Sequence, residues 1–107
     1  MKTDLLETGQ VRFTFRLNDE NIIEKAEVYL ASQAELDELY SYIKALFEQN
    51  KNNEIKLDLG DSILHLHYER MIIGGQIVFS HAYKSSPYAS RTSPYQSHSA
   101  IRKAFRK

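Results

Sequence analysis

Apolar and polar residues alternate over two neighbouring stretches near the start of the chain. In the first stretch every second position is apolar, at Val11, Phe13, Phe15 and Leu17. A period of two is typical of a strand that buries one face. Residues 25–30 repeat this period, and the polar residues 18–21 between the two stretches predict a turn. Together they predict an antiparallel hairpin.

A different spacing follows, with apolar residues three and four positions apart. They are Leu36, Leu39, Tyr40, Ile43, Leu46 and Phe47. This spacing places them on one stripe of an α-helix. Ser32 and Glu35 have the spacing of a capping box, in which each side chain satisfies a free backbone N–H of the first turn. The pattern predicts a helix that begins at Ser32 and ends at 50–53.

Alternation returns over residues 55–59, 63–69 and 77–83. Gly60-Asp61 separates the first two stretches and Gly74-Gly75 precedes the third, and glycine tolerates the positive φ that tight turns demand. The order β-β-α-β-β-β with short connections favours one antiparallel sheet of about five strands, with the helix packed on one of its faces. We therefore predict an α+β fold.

The last part of the chain contains an internal repeat. Ser-Pro-Tyr opens residues 86–92 and again residues 93–99. Each proline favours an extended conformation at the residue before it. Beyond the repeat, residues 100–107 carry Ile101 and Phe105 four positions apart among basic residues, which is typical of a short amphipathic helix, here capped by Ser97 or Ser99. We expect an extended segment that ends in this helix.

The charges of the chain divide at a similar point. All fourteen acidic residues precede position 70, whereas residues 84–107 carry six basic residues and no acid. Residues 1–83 hold eight basic residues against those fourteen acids, so a body of formal charge −6 precedes a segment of +6. We therefore expect a domain over 1–83 and a basic arm over 84–107. Opposite fields also attract each other, so packing of the arm on the body is the alternative.

Several classes of protein are disfavoured by what the sequence lacks. It has no cysteine, and no Gly-x-Ser-x-Gly, Gly-x-Gly-x-x-Gly, phosphate-loop or His-Glu-x-x-His motif. We therefore expect neither an enzyme nor a cofactor. The longest apolar-rich run, residues 71–79, is interrupted by Gly74, Gly75 and Gln76, and no apolar stretch typical of a signal peptide follows the first residues. These observations favour a cytoplasmic protein without a membrane span.

The histidines raise the question of a metal site. His65 and His67 lie two apart on a predicted strand, and His81 on the neighbouring strand could approach them, in which case three imidazoles could bind zinc. The alternative is that these histidines are half-exposed polar residues on the outer face of the sheet, alongside Glu69. We expect this alternative and assign no metal.

The acidic body suggests a basic partner. The residues expected to contact it are Tyr29, Glu35, Asp37, Glu38 and Glu48. Nuclease toxins are basic because they bind polyphosphate, and complementary charge speeds encounter and suppresses wrong partners. We therefore predict a small module that blocks a partner protein in the manner of an immunity protein or antitoxin. The simpler alternative is that the acids only keep the surface solvated.

The basic segment suggests a second function, nucleic-acid binding. Its candidate contacts are Tyr88, Arg91, Tyr95, Arg102, Lys103, Arg106 and Lys107. Basic residues contact phosphates, and interleaved aromatic rings stack on bases. Against this function, a body of charge −6 repels phosphate at a distance.

Overall fold

The computed structural model describes residues 1–18 and 24–107. The turn predicted over 18–21 lies outside the described residues except for its first position. The described elements are β1 (Lys2–Leu5), β2 (Val11–Arg16), β3 (Lys25–Leu30), α1 (Gln33–Gln49), β4 (Asn53–Asp58), β5 (Ser62–Arg70), β6 (Gly75–Tyr83), β7 (Arg91–Thr92), β8 (Gln96–Ser97) and α2 (His98–Phe105). The predicted α+β class with antiparallel strands is confirmed. Neither described helix has the length and apolarity needed to cross a membrane.

The strands form two sheets rather than the single sheet that we predicted. The first has the order β1-β2-β3, and the second has the order β4-β5-β6-β7, with β8 also paired to β6. In the first sheet, Phe13 pairs with Val28 and Phe15 with Ala26, so the predicted hairpin buries one apolar face. Phe13 also contacts Phe79 of the second sheet, with ring centroids 5.2 Å apart. This contact joins the two sheets in one core.

Helix α1 begins and ends as its sequence predicts. The Ser32 side chain accepts a hydrogen bond from the Glu35 backbone N–H, which caps the first turn. Asn50 ends the helix in the left-handed conformation, at φ 49°, and its N–H donates to the Leu46 carbonyl. The residues that it buries are Leu36, Leu39, Ile43 and Leu46. The opposite face of the helix therefore remains exposed to solvent.

The core continues beyond Tyr83, where we expected the domain to end. Ile101 and Phe105 of α2 are both buried in the cluster that the two sheets and α1 form. The Phe105 ring lies 5.3 Å from that of Phe13 and 5.8 Å from that of Tyr40. Residues 91–107 therefore pack against the body, as in the alternative weighed for this segment, and do not extend from it as an arm. The predicted terminal helix is present, and its cap is Ser97.

The two copies of the Ser-Pro-Tyr repeat occupy different environments. Ser86 is exposed in a loop, whereas Ser93 is fully buried beside β6. The Ser93 hydroxyl accepts from the Phe79 N–H at 2.9 Å and donates to the Pro94 carbonyl at 2.8 Å. The register of β6 with β7 differs by one residue from its register with β8. Three residues, 93–95, therefore lie opposite only two residues of β6, 78–79. The buried serine satisfies the backbone at this irregularity.

Candidate functional site

A groove lies between the exposed face of α1 and the end of β4. We call it the acidic groove; its lining residues are Leu30, Glu35, Glu38, Leu39, Tyr42, Leu57, Asp58 and Leu59. Its volume is about 160 Å³. Glu35, Glu38 and Tyr42 are three and four residues apart, so the helix period places them along one edge. Four leucines contribute the apolar part of the lining, and three carboxylates contribute the charge.

The three carboxylates of the acidic groove differ in how they are paired. Asp58 accepts hydrogen bonds from Lys84 Nζ on both oxygens, each at 2.9 Å, and one from the Gly60 N–H. The Lys84 hydrogen bond, followed by that from Gly60, lowers the pKa of Asp58. The Glu38 carboxylate accepts a 3.2 Å hydrogen bond from the Tyr42 hydroxyl. No described cation lies within ion-pair distance of Glu35 or Glu38, so their charge is available to a partner.

Asp37, which we expected beside Glu35 and Glu38 in the contact surface, is paired with the side chain of Lys107. It accepts from Gln33 Nε2 at 3.2 Å and from Lys107 Nζ at 3.1 Å. These two hydrogen bonds, in that order of importance, lower the pKa of Asp37. Lys107 also lies 5.6 Å from the centre of the Tyr40 ring. Asp37 therefore helps to hold α2 on the body and does not line the acidic groove.

The other two residues of the predicted contact set also lie outside the acidic groove. Glu48 is near the end of α1, with Lys44 at 3.9 Å. Tyr29 is exposed on the outer face of the first sheet, and its hydroxyl donates to Glu27 at 2.8 Å. This hydrogen bond is the main cause of the raised pKa of Tyr29. Of the five residues predicted, the structure brings only Glu35 and Glu38 together.

Two polar lining residues of the acidic groove, Tyr42 and Asp58, were absent from the predicted set. Tyr42 follows Glu38 by four positions and is 37% exposed, so its place on the polar face of the helix was readable from the sequence. Asp58 could not be found in this way, because its proximity to α1 depends on how β4 packs beside the helix. Strand alternation shows only that Asp58 faces away from Leu57.

The basic residues proposed for nucleic-acid binding are dispersed, and some are engaged. Arg91 donates to His81 Nδ1 at 3.2 Å and lies 5.7 Å from the centre of the Tyr83 ring. Lys103 and Arg106 line a groove of about 330 Å³ beside β1. The remaining candidates, Arg102, Tyr88 and Tyr95, are exposed, and Arg102 stands in the last turn of α2, where a positive charge favours the helix dipole.

His81 does not approach the other two histidines, and the expectation that it is half-exposed on the outer face is wrong. His81 is 2% exposed and pairs with Leu64 on the inner face, whereas His65 and His67 point to the outer face of the second sheet. Burial, followed by the nearby charge of Arg91, lowers the pKa of His81. The third group beside His65 and His67 is Glu54 of β4, whose carboxylate oxygens lie 3.2 and 3.0 Å from their ring nitrogens.

Glu54 is partly desolvated, which opposes its ionisation. Attraction to His65, and then its hydrogen bonds and attraction to His67, outweigh this effect and lower the pKa of Glu54. Glu69 lies on the same strand and the same face as the two histidines but outside this group.

An apolar hairpin tip lies outside every predicted set of contact residues. Met71, Ile72 and Ile73 connect β5 to β6, and both isoleucines are almost fully exposed. Gly74 turns the chain with φ 71°.

Comparison of the chain with protein-family models, with curated proteins and with solved structures finds no match.

Proposed function

We propose that this protein is a binding module that blocks a basic partner protein, in the manner of an immunity protein or antitoxin, and that the acidic groove is its contact surface. One observation carries the proposal: among the described residues no cation pairs with Glu35 or Glu38, and both stand beside an exposed tyrosine and an apolar lining. Tyrosine is enriched at protein interfaces, where its ring buries a large area and its hydroxyl retains a hydrogen bond.

The chemistry of the acidic groove suits a lysine or arginine side chain of the partner. Such a side chain lays its apolar stem along hydrophobic surface while its charged end contacts carboxylates. The leucines of the lining would receive the stem, and Glu35 and Glu38 would receive the charge. In a basic nuclease, lysine and arginine side chains bind the phosphates of the nucleic-acid substrate. Carboxylates of the acidic groove that contact these side chains would therefore exclude the substrate. We therefore infer a steric and electrostatic block as the mechanism.

Nucleic-acid binding remains the alternative, and the structure offers it less support. Three of the six cations of the C-terminal segment already have partners within the chain. Lys84 binds Asp58, Arg91 donates to His81, and Lys107 binds Asp37. The exposed cations Arg102, Lys103 and Arg106 belong to one short helix and its cap. A strong phosphate interaction needs several free cations along a continuous path.

Affinity capture from a lysate of the source organism, with and without nuclease treatment, tests the proposal. The baits are the full chain, a Glu35→Lys/Glu38→Lys variant, and a control variant, Glu7→Lys/Glu24→Lys. The control makes the same change in net charge at exposed positions outside the acidic groove. We expect one basic protein to be retained in stoichiometric amount by the wild type and the control and to be lost from the groove variant.

Two results would contradict the proposal. Equal retention of the partner by the groove variant would show that the contact lies elsewhere on the surface. Recovery that disappears after nuclease treatment would favour the nucleic-acid alternative. Far-ultraviolet circular dichroism of each bait shows whether the fold is retained, since a lysine in the first turn of α1 is unfavourable to the helix dipole.

A further inference from the structure

The outer face of the second sheet carries a cluster of three groups with metal-binding atoms. His65 and His67 are two residues apart on β5, so both side chains leave the same face. Glu54 of β4 stands directly opposite His67 in the register. Direct cross-strand neighbours have their Cβ atoms about 5 Å apart, and diagonal neighbours lie within reach of long side chains. The antiparallel pairing therefore holds the carboxylate near both imidazoles.

The distances within the cluster are close to those of a coordination sphere. Glu54 Oε2 lies 3.2 Å from His65 Nε2, and Glu54 Oε1 lies 3.0 Å from His67 Nδ1. The three potential ligand atoms all lie within 4.8 Å of one another. In a tetrahedral zinc site, bonds of about 2.1 Å separate neighbouring ligand atoms by about 3.4 Å. Small rotations of the three exposed or half-exposed side chains are enough to surround one ion.

We propose that Glu54, His65 and His67 form a site for a divalent transition-metal ion, with zinc as the natural choice. Two imidazole nitrogens and one carboxylate oxygen suit zinc and its neighbours, whereas calcium and magnesium prefer oxygen ligands alone. Three protein ligands leave one position for water or another ligand. His65 also lines an open cleft of about 610 Å³, so the ion would stand at the edge of that cleft.

Equilibrium dialysis of the full chain against micromolar zinc chloride tests the site. The variants are Glu54→Gln and His65→Ala, with Glu69→Gln as the matched control on the same face of β5. We expect one zinc ion per wild-type chain and per control chain. Loss of a second-shell partner typically weakens metal binding about 10–100-fold, so loss of a ligand should weaken it at least as much. Thermal unfolding without metal checks that the variants fold alike.

The wild type alone provides a second readout. Zinc should shift the imidazole NMR signals of His65 and His67 and leave those of His81 and His98 in place. No zinc retained by the wild type would overturn the proposal and leave the cluster as a histidine–carboxylate contact. Equal retention by Glu54→Gln, His65→Ala and the control, or shifts at His81 or His98 instead, would also overturn it.

Discussion

Replacement of Phe105 by alanine tests whether the C-terminal segment belongs to the folded core. The Phe105 side chain is 3% exposed and packs against Phe13 and Tyr40, at 5.3 and 5.8 Å between ring centroids. If residues 84–107 were an arm attached to an independent domain, this substitution would have little effect on stability. Because the ring completes the cluster between α1 and the first sheet, we expect a large effect instead.

The magnitude follows from burial and aromatic packing. Burial of a phenylalanine side chain contributes about 1.5–3 kcal/mol, and each aromatic pair adds about 0.5–1.5 kcal/mol. Phe→Ala substitutions in cores accordingly cost about 3–5 kcal/mol. Single domains are stable by about 5–15 kcal/mol, so Phe105→Ala should remove about a fifth or more of the free energy of unfolding.

Urea denaturation followed by circular dichroism measures this loss. With an m-value of about 2 kcal/mol per molar urea, a loss of about 4 kcal/mol lowers the midpoint by about 2 M. The control is Tyr88→Ala, because Tyr88 is 100% exposed in the same segment. We expect the control to stay within about 0.5 kcal/mol of the wild type. A midpoint for Phe105→Ala that matches the control would refute the assignment of α2 to the core.

Three further predictions concern particular contacts. Ser93→Ala should cost about 1–3 kcal/mol because the hydroxyl's hydrogen bonds are buried, whereas Ser86→Ala, its counterpart in the repeat, should cost little; urea midpoints compare them. Gly75→Ala should destabilise the fold by about 1–3 kcal/mol, because the new methyl group would overlap the Tyr68 ring, and thermal unfolding detects this loss. Because burial lowers the pKa of His81, this histidine binds a proton more readily in the unfolded chain than in the folded one. The free energy of unfolding should therefore fall as the pH drops from 7 through the ordinary histidine range. His81→Asn should flatten that part of the profile of stability against pH. Unchanged midpoints or an unaltered profile would contradict each prediction.

The parts of the fold that could be predicted were those that bury one face of a long element. Val11, Phe13 and Phe15 alternate clearly, and α1 has a complete apolar stripe. Strand β1 lacks such a signal, because its buried position is Thr3 and its one leucine, Leu5, is mostly exposed. The sequence did not distinguish two separate sheets from one, because the apolar pattern of a strand does not determine which other strand it pairs with.

The packing of the C-terminal segment could not be predicted because its local signals outweighed its two buried apolar residues. Prolines, serines and six basic residues are typical of an extended segment, and only Ile101 and Phe105 indicated packing. A two-residue stripe does not distinguish an isolated amphipathic helix from one that completes a core. The contact between α2 and the body depends on distant residues such as Thr3, whose hydroxyl donates to the Ala104 carbonyl at 2.9 Å.

Some features of the candidate sites could be predicted from the sequence, and others could not. His81 shares its strand face with Ile77 and Phe79, whereas His65 and His67 alternate with leucines, so the sequence already placed His81 on the apolar face. The position of Glu54 beside the two histidines could not be predicted, because it depends on the register between β4 and β5, which places Glu54 opposite His67. The charge pattern suggested Glu35, Asp37 and Glu38 as candidate contacts, but it did not show that Asp37 accepts a hydrogen bond from Lys107.

The most direct test of the proposed function is the rate constant of association with the captured partner, measured by stopped flow over a range of salt concentrations. Electrostatic steering raises association rates by about 10–10³-fold and weakens as salt is added. The proposal predicts that Glu35→Lys/Glu38→Lys slows association at low salt by at least about tenfold, and that Glu7→Lys/Glu24→Lys changes it far less. Equal association rates for the two variants at low salt would contradict the acidic groove as the contact surface.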